Sequence, residues 1–462
     1  MNLHSSVIKG TIFLTLSAVL CRIIGFFYKI YISNAIGAEN FGIFQLAMPI
    51  FGLVSIMCCQ CIETSLSKMI SENPNDSRQY CICGFTISLI LSGICAAILY
   101  FASDIIASNF LFESRCSILL KYIAITLLLS IVHSIINGYS FGKMRVLLPA
   151  ICNITEQISK ILITILLVNI LLASNCIPDY TTAGKIMLYS ELICAIFGIT
   201  ILILSGKKII LPKNKLPKKS HYKNMIRFLL PISGNRLILC FLGSFESILL
   251  PTSLKLYGIS SDNSLAIYGI LSGMAMSVLM LPQTFTTSLS SLLLPKISSQ
   301  STVSYNNNRH KKMSNTSDNS SPKALGKTNS DNYINPAAKT ASMSIRFCFA
   351  MGIFFLAIFK IFGKEIGLLL FHNELCGFFI ENLSIICPFI YTSTASYSIL
   401  NGLTKAGYVF FCNITGLVIR LITVSFFVPQ YGINAYIYGL FLSHIVSFLM
   451  SMLFISLSLK GN

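Results

Sequence analysis

The sequence has 462 residues, of which 54% are hydrophobic and only 11% charged, with a mean hydropathy of +0.75 and a formal net charge of +18. An ordinary soluble domain carries about 25% charged residues, so this composition excludes a soluble globular protein and predicts an integral membrane protein. The excess of positive charge does not require a nucleic-acid partner, because cationic loops beside a membrane account for it.

Apolar blocks long enough to cross a bilayer recur along the whole chain. A span needs about 20 mostly apolar residues, and twelve such blocks predict an all-α membrane fold. The first block is expected to stay in the mature protein, because it is long and carries Arg22 and Lys29. The blocks lie near residues 10–33, 42–67, 81–103, 117–141, 147–172, 183–205, 226–250, 265–294, 342–362, 378–402, 407–429 and 433–458.

The loops between these blocks carry their cations very unevenly. Twenty-three Lys and Arg residues fall on one side of the membrane and four, Arg115, Lys185, Lys255 and Lys364, on the other. Cationic loops stay on the cytoplasmic side during insertion. We therefore predict a multi-pass protein of the bacterial cytoplasmic membrane with both termini in the cytoplasm.

Two polar stretches divide the chain into an N-lobe at 1–205, a basic cytoplasmic linker at 206–225, and a C-lobe at 226–462. The second stretch, at about 298–338, is rich in Ser, Asn and Lys and is predicted to be a disordered cytoplasmic loop. Its Gly-Lys-Thr string, which includes Lys327, is not a nucleotide-binding loop, because Ser321 stands where that motif needs glycine and no strand precedes it.

An internal repeat relates the two lobes. An Asn-Gly pair closes the fourth span at Gly138 and the tenth at Gly402, and the string Cys-Asn-Ile-Thr opens the fifth and eleventh spans at residues 152 and 412. A cation follows each of these cysteines after eight residues, at Lys160 and Arg420. The repeat predicts two six-helix lobes in the same orientation, related by a pseudo-twofold axis along the membrane normal, as in transporters that work by alternating access.

Charged residues at membrane depth are the candidate substrate-binding residues, because each is costly unless it faces a wet cavity or a partner. For the deeper ones, cavity lining and structural pairing between helices both remain open. The pair Glu156 and Lys160 is spaced i,i+4 and can pair within one helix; it is either a structural pair or a cavity wall. The candidates are Arg22, Lys29, Glu63, Glu156, Lys160, Arg236, Glu246 and Arg420.

Metal and cofactor chemistry find no support in the sequence. Most of the 16 cysteines lie inside predicted spans, where a thiol behaves as a small hydrophobic group. The six histidines are scattered without zinc-site spacing. We expect no metal, no cofactor and no catalytic residue. The spacing of Gly269 and Gly273 predicts a close helix contact.

Four stretches of the sequence resemble a known family. The strings are "RIIGFFYKIYISNAIGAENFGIFQLAMPIFGL", "LLPAICNITEQISKIL", "YGILSGMAMSVLMLPQTFTTSLSSLLLPKIS" and "SILNGLTKAG". They look like the stage V sporulation protein B branch of the polysaccharide transport family, in the MOP flippase superfamily with the lipid II flippases and the MATE exporters. The resemblance matches Arg22 to a cavity cation of lipid II flippases and Glu246 to an acid common in span seven. Lys29 departs from that pattern, since an acid is frequent there.

The resemblance implies a MATE/MOP-like fold that flips an undecaprenyl-linked oligosaccharide or peptidoglycan precursor to the outer leaflet, in cell-wall or spore-cortex synthesis. The expected partners are a polyprenyl-pyrophosphate-linked saccharide, membrane lipids and a coupling ion, H⁺ or Na⁺, with no nucleic acid and a monomeric state. The first alternative is a MATE-like exporter of small organic molecules, which should have a more acidic cavity. The second is a membrane glycosyltransferase or polymerase, for which we find no catalytic carboxylate in a soluble-facing loop.

Overall fold

The computed structural model describes residues 3–204, 217–288 and 336–460, and these residues form helices sufficient for twelve membrane crossings by length and composition. Eleven described helices are long and apolar enough to span, and the first of them contains two crossings. The spans are α1 (3–36), α2 (38–72), α3 (Ser77–Phe101), α4 (Cys116–Gly142), α5 (Leu147–Ala173), α6 (Tyr180–Leu204), α7 (Lys219–Leu256), α8 (Ser261–Met280), α9 (Pro336–Phe371), α10 (Glu374–Gly402), α11 (Ala406–Tyr431) and α12 (Ile433–Lys460).

The predicted spans are confirmed, and most of their ends agree within five residues. The larger differences are at α1 and α7, which each begin seven residues before the predicted block, at α9, which extends it at both ends, and at α8, which ends at Met280 although the predicted block runs to 294. Charged or polar side chains occupy extra turns of α7 and α9, and residues 289–294 of the eighth predicted block lie outside the described residues. The predicted disordered loop, apart from its last three residues, and residues 206–216 of the predicted linker lie outside the described residues.

The turn between α1 and α2 is a single glycine. Gly37 has φ +80° and ψ 165°, a conformation that glycine adopts readily and other L residues rarely do. The helix therefore reverses direction without a loop, at the membrane face opposite the basic loops. We call this side the outer face, because the charge distribution predicts that it is extracytoplasmic.

The two lobes touch backbone to backbone near the outer face, where α2 crosses α8. A Cβ atom at Gly42 would lie 2.0 Å from the carbonyl oxygen of Leu265, and one at Gly269 would lie 2.6 Å from the Gly42 nitrogen. A Cβ at Gly273 would meet the ring of Phe41 at 2.1 Å. The predicted close contact at Gly269 and Gly273 is confirmed, and its partner is the N-lobe.

Polar contacts between the lobes add to this contact between α2 and α8. Arg115, just before α4, donates from Nη1 to Glu39 at 2.5 Å and from Nε to Glu113 at 2.7 Å, both in the N-lobe. Its Nη2 reaches Asp262 of the C-lobe at 2.8 Å. The Asn34 amide donates to the Leu370 carbonyl at 2.8 Å, again between the lobes. The outer face is therefore closed in this conformation.

The first turns of α7 pack against the N-lobe, although the sequence analysis placed residues from 226 onward in the C-lobe. Met225 and Leu229 are buried in one cluster with residues of α2, α3 and α4, and the Lys68 ammonium lies 3.9 Å from the centre of the Phe228 ring. Pro231 interrupts α7 just beyond this contact. The first turns of α7 therefore pack against the N-lobe, and the rest of the helix continues into the C-lobe.

Candidate functional site

A cavity of about 420 Å³ lies between the lobes and is lined by α1, α5 and the end of α8. We call it the cationic cavity, because three basic side chains, Arg22, Lys29 and Lys160, line it. Arg22 and Lys29 are seven residues apart, two turns or about 10 Å along one helix face. The cavity lies on the basic-loop side of the closed contacts at the outer face, so it is positioned to receive a ligand from that side.

Two of these three cations have no acidic partner among the residues that the structure describes. Lys29 donates from Nζ to the Ser277 hydroxyl of α8 at 3.0 Å, which holds the ammonium across the lobe boundary. Arg22 is exposed at the cavity wall, and no described carboxylate lies within ion-pair distance of its guanidinium. The uncompensated positive charge makes this cavity attractive to an anion.

Lys160 differs, since it forms an ion pair with Glu156 one turn earlier in α5. His133 of α4 lies 3.7 Å from the second oxygen of Glu156 and 2.9 Å from the Asn153 side chain. Cys194 of α6 lies 3.6 Å from Nδ1 of His133, the ring nitrogen that faces Glu156. A buried polar cluster therefore joins three helices inside the N-lobe, and Lys160 connects it to the cationic cavity.

This cluster also has the composition of a metal site, which the sequence analysis did not anticipate. Single ligand atoms from His133, Glu156 and Cys194 all lie within 4.8 Å of one another. Glu156, however, already faces the ammonium of Lys160, which supplies the positive charge that a metal would otherwise provide. We therefore interpret the three residues as members of an ion-pair network.

Replacing Glu156 by Gln should destabilise the protein, because it leaves the Lys160 ammonium largely buried without its carboxylate. Breaking a buried pair costs about 3 kcal/mol, which should appear as a clearly lower melting temperature in detergent. The matched control is Glu381→Gln, which breaks a solvent-exposed pair with Lys360 and should leave the melting temperature nearly unchanged, because exposed ion pairs contribute little to stability. Equal melting temperatures for the two variants would show that the Glu156 pair is not structural.

Glu246 and Arg420 form the main charged pair of the C-lobe. Arg420 Nε of α11 lies 3.4 Å from one oxygen of Glu246 in α7, and the Tyr436 hydroxyl of α12 donates to the other at 2.8 Å. Glu246 is buried, with 6% of its surface exposed. The two predicted site residues are thus brought together, in a pair inside the C-lobe.

Glu63 and Arg236 lie apart from the cationic cavity. Arg236 of α7 points to α2, with its Nη1 3.4 Å from the Thr64 hydroxyl, and Glu63 interacts electrostatically with Arg236 and His133. Their predicted role in substrate binding stays a prediction. In this conformation they join α7 to the N-lobe.

Sequence reasoning missed the partners that organise the site, namely His133, Cys194, Ser277 and Tyr436. Each lies on a different helix from the charged residue it contacts. A signal for one of them was present, since His133 occupies the same place before the Asn-Gly pair of α4 as Tyr397 does in α10. The other three carry no local signature.

Comparison with known proteins supports the fold and extends the resemblance. Residues 7–301 match the model of a family described as Polysaccharide biosynthesis protein. Stage V sporulation protein B of Bacillus subtilis (strain 168) is 27% identical over 304 residues, 63% of this chain and 58% of that protein. Lipid II flippase MurJ of the same organism is 24% identical over 173 residues, 35% of this chain and 32% of that protein.

A solved structure described as the inward-facing conformation of a multidrug resistance MATE family transporter of the MOP superfamily has a similar fold. Its TM-score is 0.70 at 14% sequence identity, covering 97% of this chain and 99% of that one. This likeness confirms the predicted architecture of two helical lobes. At such low identity it carries no information on the cargo.

Proposed function

The chain belongs to the polysaccharide biosynthesis protein family, and from this premise we propose that it is a membrane transporter of the MOP superfamily that flips a polyprenyl-pyrophosphate-linked saccharide between leaflets by alternating access. The matched stretches span 58% and 32% of the two relatives named above. The charge of this chain's own cavity supports the choice of cargo.

The observation that carries the proposal is the pair of uncompensated cations, Arg22 and Lys29, in the cavity between the lobes. A pyrophosphate diester carries negative charge that fixed cations stabilise strongly where water is partly excluded. The guanidinium of Arg22 can bind phosphate oxygens in a bidentate manner, and the Lys29 ammonium, already held by Ser277, presents its remaining donors to the cavity.

The closed outer face sets the order of events. The head group enters from the side of the basic loops, which we expect to be cytoplasmic, while the apolar tail remains in the bilayer. The contacts at Gly42 and Arg115 then separate as the lobes rock, and the head group leaves on the outer side. The driving force is an ion gradient, of H⁺ or Na⁺, or the membrane potential, and no bond is made or broken.

An exporter of organic cations is the second candidate, favoured by the fold likeness to a multidrug transporter. Such a cargo needs an accessible carboxylate. Glu156, which faces the cavity residue Lys160, and Glu246 of the C-lobe are each paired with a cation of this chain, and Glu191 is buried, with 8% of its surface exposed. The charge of the cavity therefore favours an anionic cargo.

Purified protein reconstituted in vesicles tests the proposal directly. We expect transfer of a fluorescent undecaprenyl-pyrophosphate-linked saccharide between leaflets, measured by dithionite quenching, and no uptake of a cationic dye such as ethidium. Protein-free vesicles provide the background rate. Dye transport without lipid transfer would replace the flippase assignment with that of an exporter.

A further inference from the structure

The internal repeat assigns a counterpart in the C-lobe to each member of the polar cluster in the N-lobe. The Cys194 thiol donates to the Cys152 carbonyl at 3.7 Å, and the Ser447 hydroxyl donates to the Cys412 carbonyl at 3.1 Å. Cys152 and Cys412 open the repeated string, so the residues that donate to their carbonyls correspond, and Ser447 is the counterpart of Cys194. Counting back three residues along α6 and α12 then pairs Glu191 with His444.

The same correspondence runs along α5 and α11. Asn153 corresponds to Asn413 and Lys160 to Arg420, each at the same distance from the repeated cysteine. Four residues after the cysteine, Glu156 in the N-lobe corresponds to Gly416 in the C-lobe. The cation is thus present in both lobes, whereas the two N-lobe carboxylates, Glu156 and Glu191, correspond to Gly416 and His444 in the C-lobe.

The C-lobe contains a second cavity, and Gly416 lies in its wall. In the N-lobe, the side chains of His133, Glu156 and Cys194 contact one another. The cavity in the C-lobe has a volume of about 470 Å³, within the range of about 300–1,000 Å³ typical of ligand sites. We call it the C-lobe cavity; it adjoins the cationic cavity, and Met280 lines both.

Neutral hydrogen-bonding groups dominate the wall of the C-lobe cavity. Its polar lining comes from α10, α11, α12 and the segment after α8, including Gln283, Thr394, Asn413, Ser443 and His444. Among the described residues that line the cavity, Arg420 alone is charged, and its guanidinium lies beside Glu246. The wall therefore offers amide and hydroxyl groups without net charge.

Three buried atoms of the described lining lack a hydrogen-bond partner among the described residues. They are Nε2 of His444, Oγ of Ser393 and Nε of Arg420, which faces Glu246 only as an ion pair, although buried polar groups are normally satisfied. Asn413 uses its amide nitrogen on the Val409 carbonyl at 2.9 Å. The cavity thus keeps hydrogen-bonding capacity that this chain does not use.

We propose that the C-lobe cavity is the saccharide subsite, which binds the uncharged sugar hydroxyl and acetamido groups next to the pyrophosphate held in the cationic cavity. This inference rests on the proposed function. The division follows from the two linings, since fixed cations suit the anionic linker and neutral amides and hydroxyls suit a sugar. A site built to hydrogen-bond hydroxyl groups discriminates strongly against ligands that lack them.

Two lipids with the same pyrophosphate diester and the same charge, one ending in a methyl group and the other in a disaccharide, separate this subsite from the cationic cavity. The dissociation constants of methyl undecaprenyl pyrophosphate, the bare lipid, and of undecaprenyl pyrophosphate carrying a disaccharide are measured by native mass spectrometry. We expect the wild-type protein to bind the glycosylated lipid more tightly. Asn413→Leu and Gln283→Leu, on two different structural segments, should each reduce that preference about tenfold and leave the affinity for the bare lipid unchanged.

The control is Thr415→Val, on the same helix as Asn413, whose hydroxyl is bonded to its own helix backbone and which does not line the C-lobe cavity. It should keep the wild-type preference. In every variant, an unchanged affinity for the bare lipid shows that the protein is correctly folded. Equal binding of both lipids by the wild type, or equal loss of both in the two variants, would overturn the saccharide subsite, whereas binding of neither lipid by the wild type would overturn the proposed function itself.

Discussion

Replacing both Arg22 and Lys29 by Ala is expected to abolish binding and flipping of a lipid-linked pyrophosphate. A hydrogen bond to a charged group contributes about 1.5–3 kcal/mol, so losing both cations should weaken binding by about 3 kcal/mol or more, at least about a hundredfold. The measurement is the dissociation constant of undecaprenyl pyrophosphate, followed by the transfer rate in vesicles. Each single variant should show an intermediate loss.

The matched control removes two cations elsewhere. Lys360 and Lys364 of α9 both pair with Glu381, at 3.1 and 3.8 Å, away from the cationic cavity. The Lys360→Ala, Lys364→Ala variant should bind and transport normally. Because it loses the same two positive charges, this result would show that the location of the cations matters and not the net charge of the protein. Unchanged flipping in the Arg22, Lys29 variant would reject the anion-binding mechanism. Arg236→Ala, outside the cavity lining, should have a smaller effect.

Substitution of Gly42 by Ala should shift the protein away from the conformation with a closed outer face. The added Cβ would lie 2.0 Å from the Leu265 carbonyl oxygen, so α2 and α8 cannot keep this contact. We expect transport to fall at least about tenfold, because the cycle needs the closed state. The distance between spin labels at residues 109 and 256, on opposite lobes at the outer face, should increase.

The control for this variant is Gly93→Ala in α3, where the added Cβ meets nothing within 4 Å. Arg115→Gln provides an independent route to the same result, since it breaks the ion pair with Asp262 without adding volume. It should lengthen the same spin-label distance. If neither variant changes that distance, the contacts at Gly42 and Arg115 do not control opening of the outer face.

The sequence by itself determined the twelve spans, the two-lobe repeat and the cations of α1. These features are local, because a span is recognised by about 20 consecutive apolar residues and a helix face by its spacing. The ion pair of Glu156 with Lys160 could also be predicted, because the two residues are spaced i,i+4 on one helix. The predicted and observed bounds differ most at helix ends, as at α7 and α9, because polar residues continue a helix beyond its apolar stretch.

Only the tertiary structure decided which groups meet across helices. Glu246 pairs with Arg420, far away in sequence, and Lys29 reaches Ser277 across the lobe boundary. Gly416 and Asn413 line a cavity only because α10, α11 and α12 are packed around it. Such contacts depend on how the helices pack against one another. Packing is determined by side chains from several helices together, so it cannot be read from any single segment of the sequence.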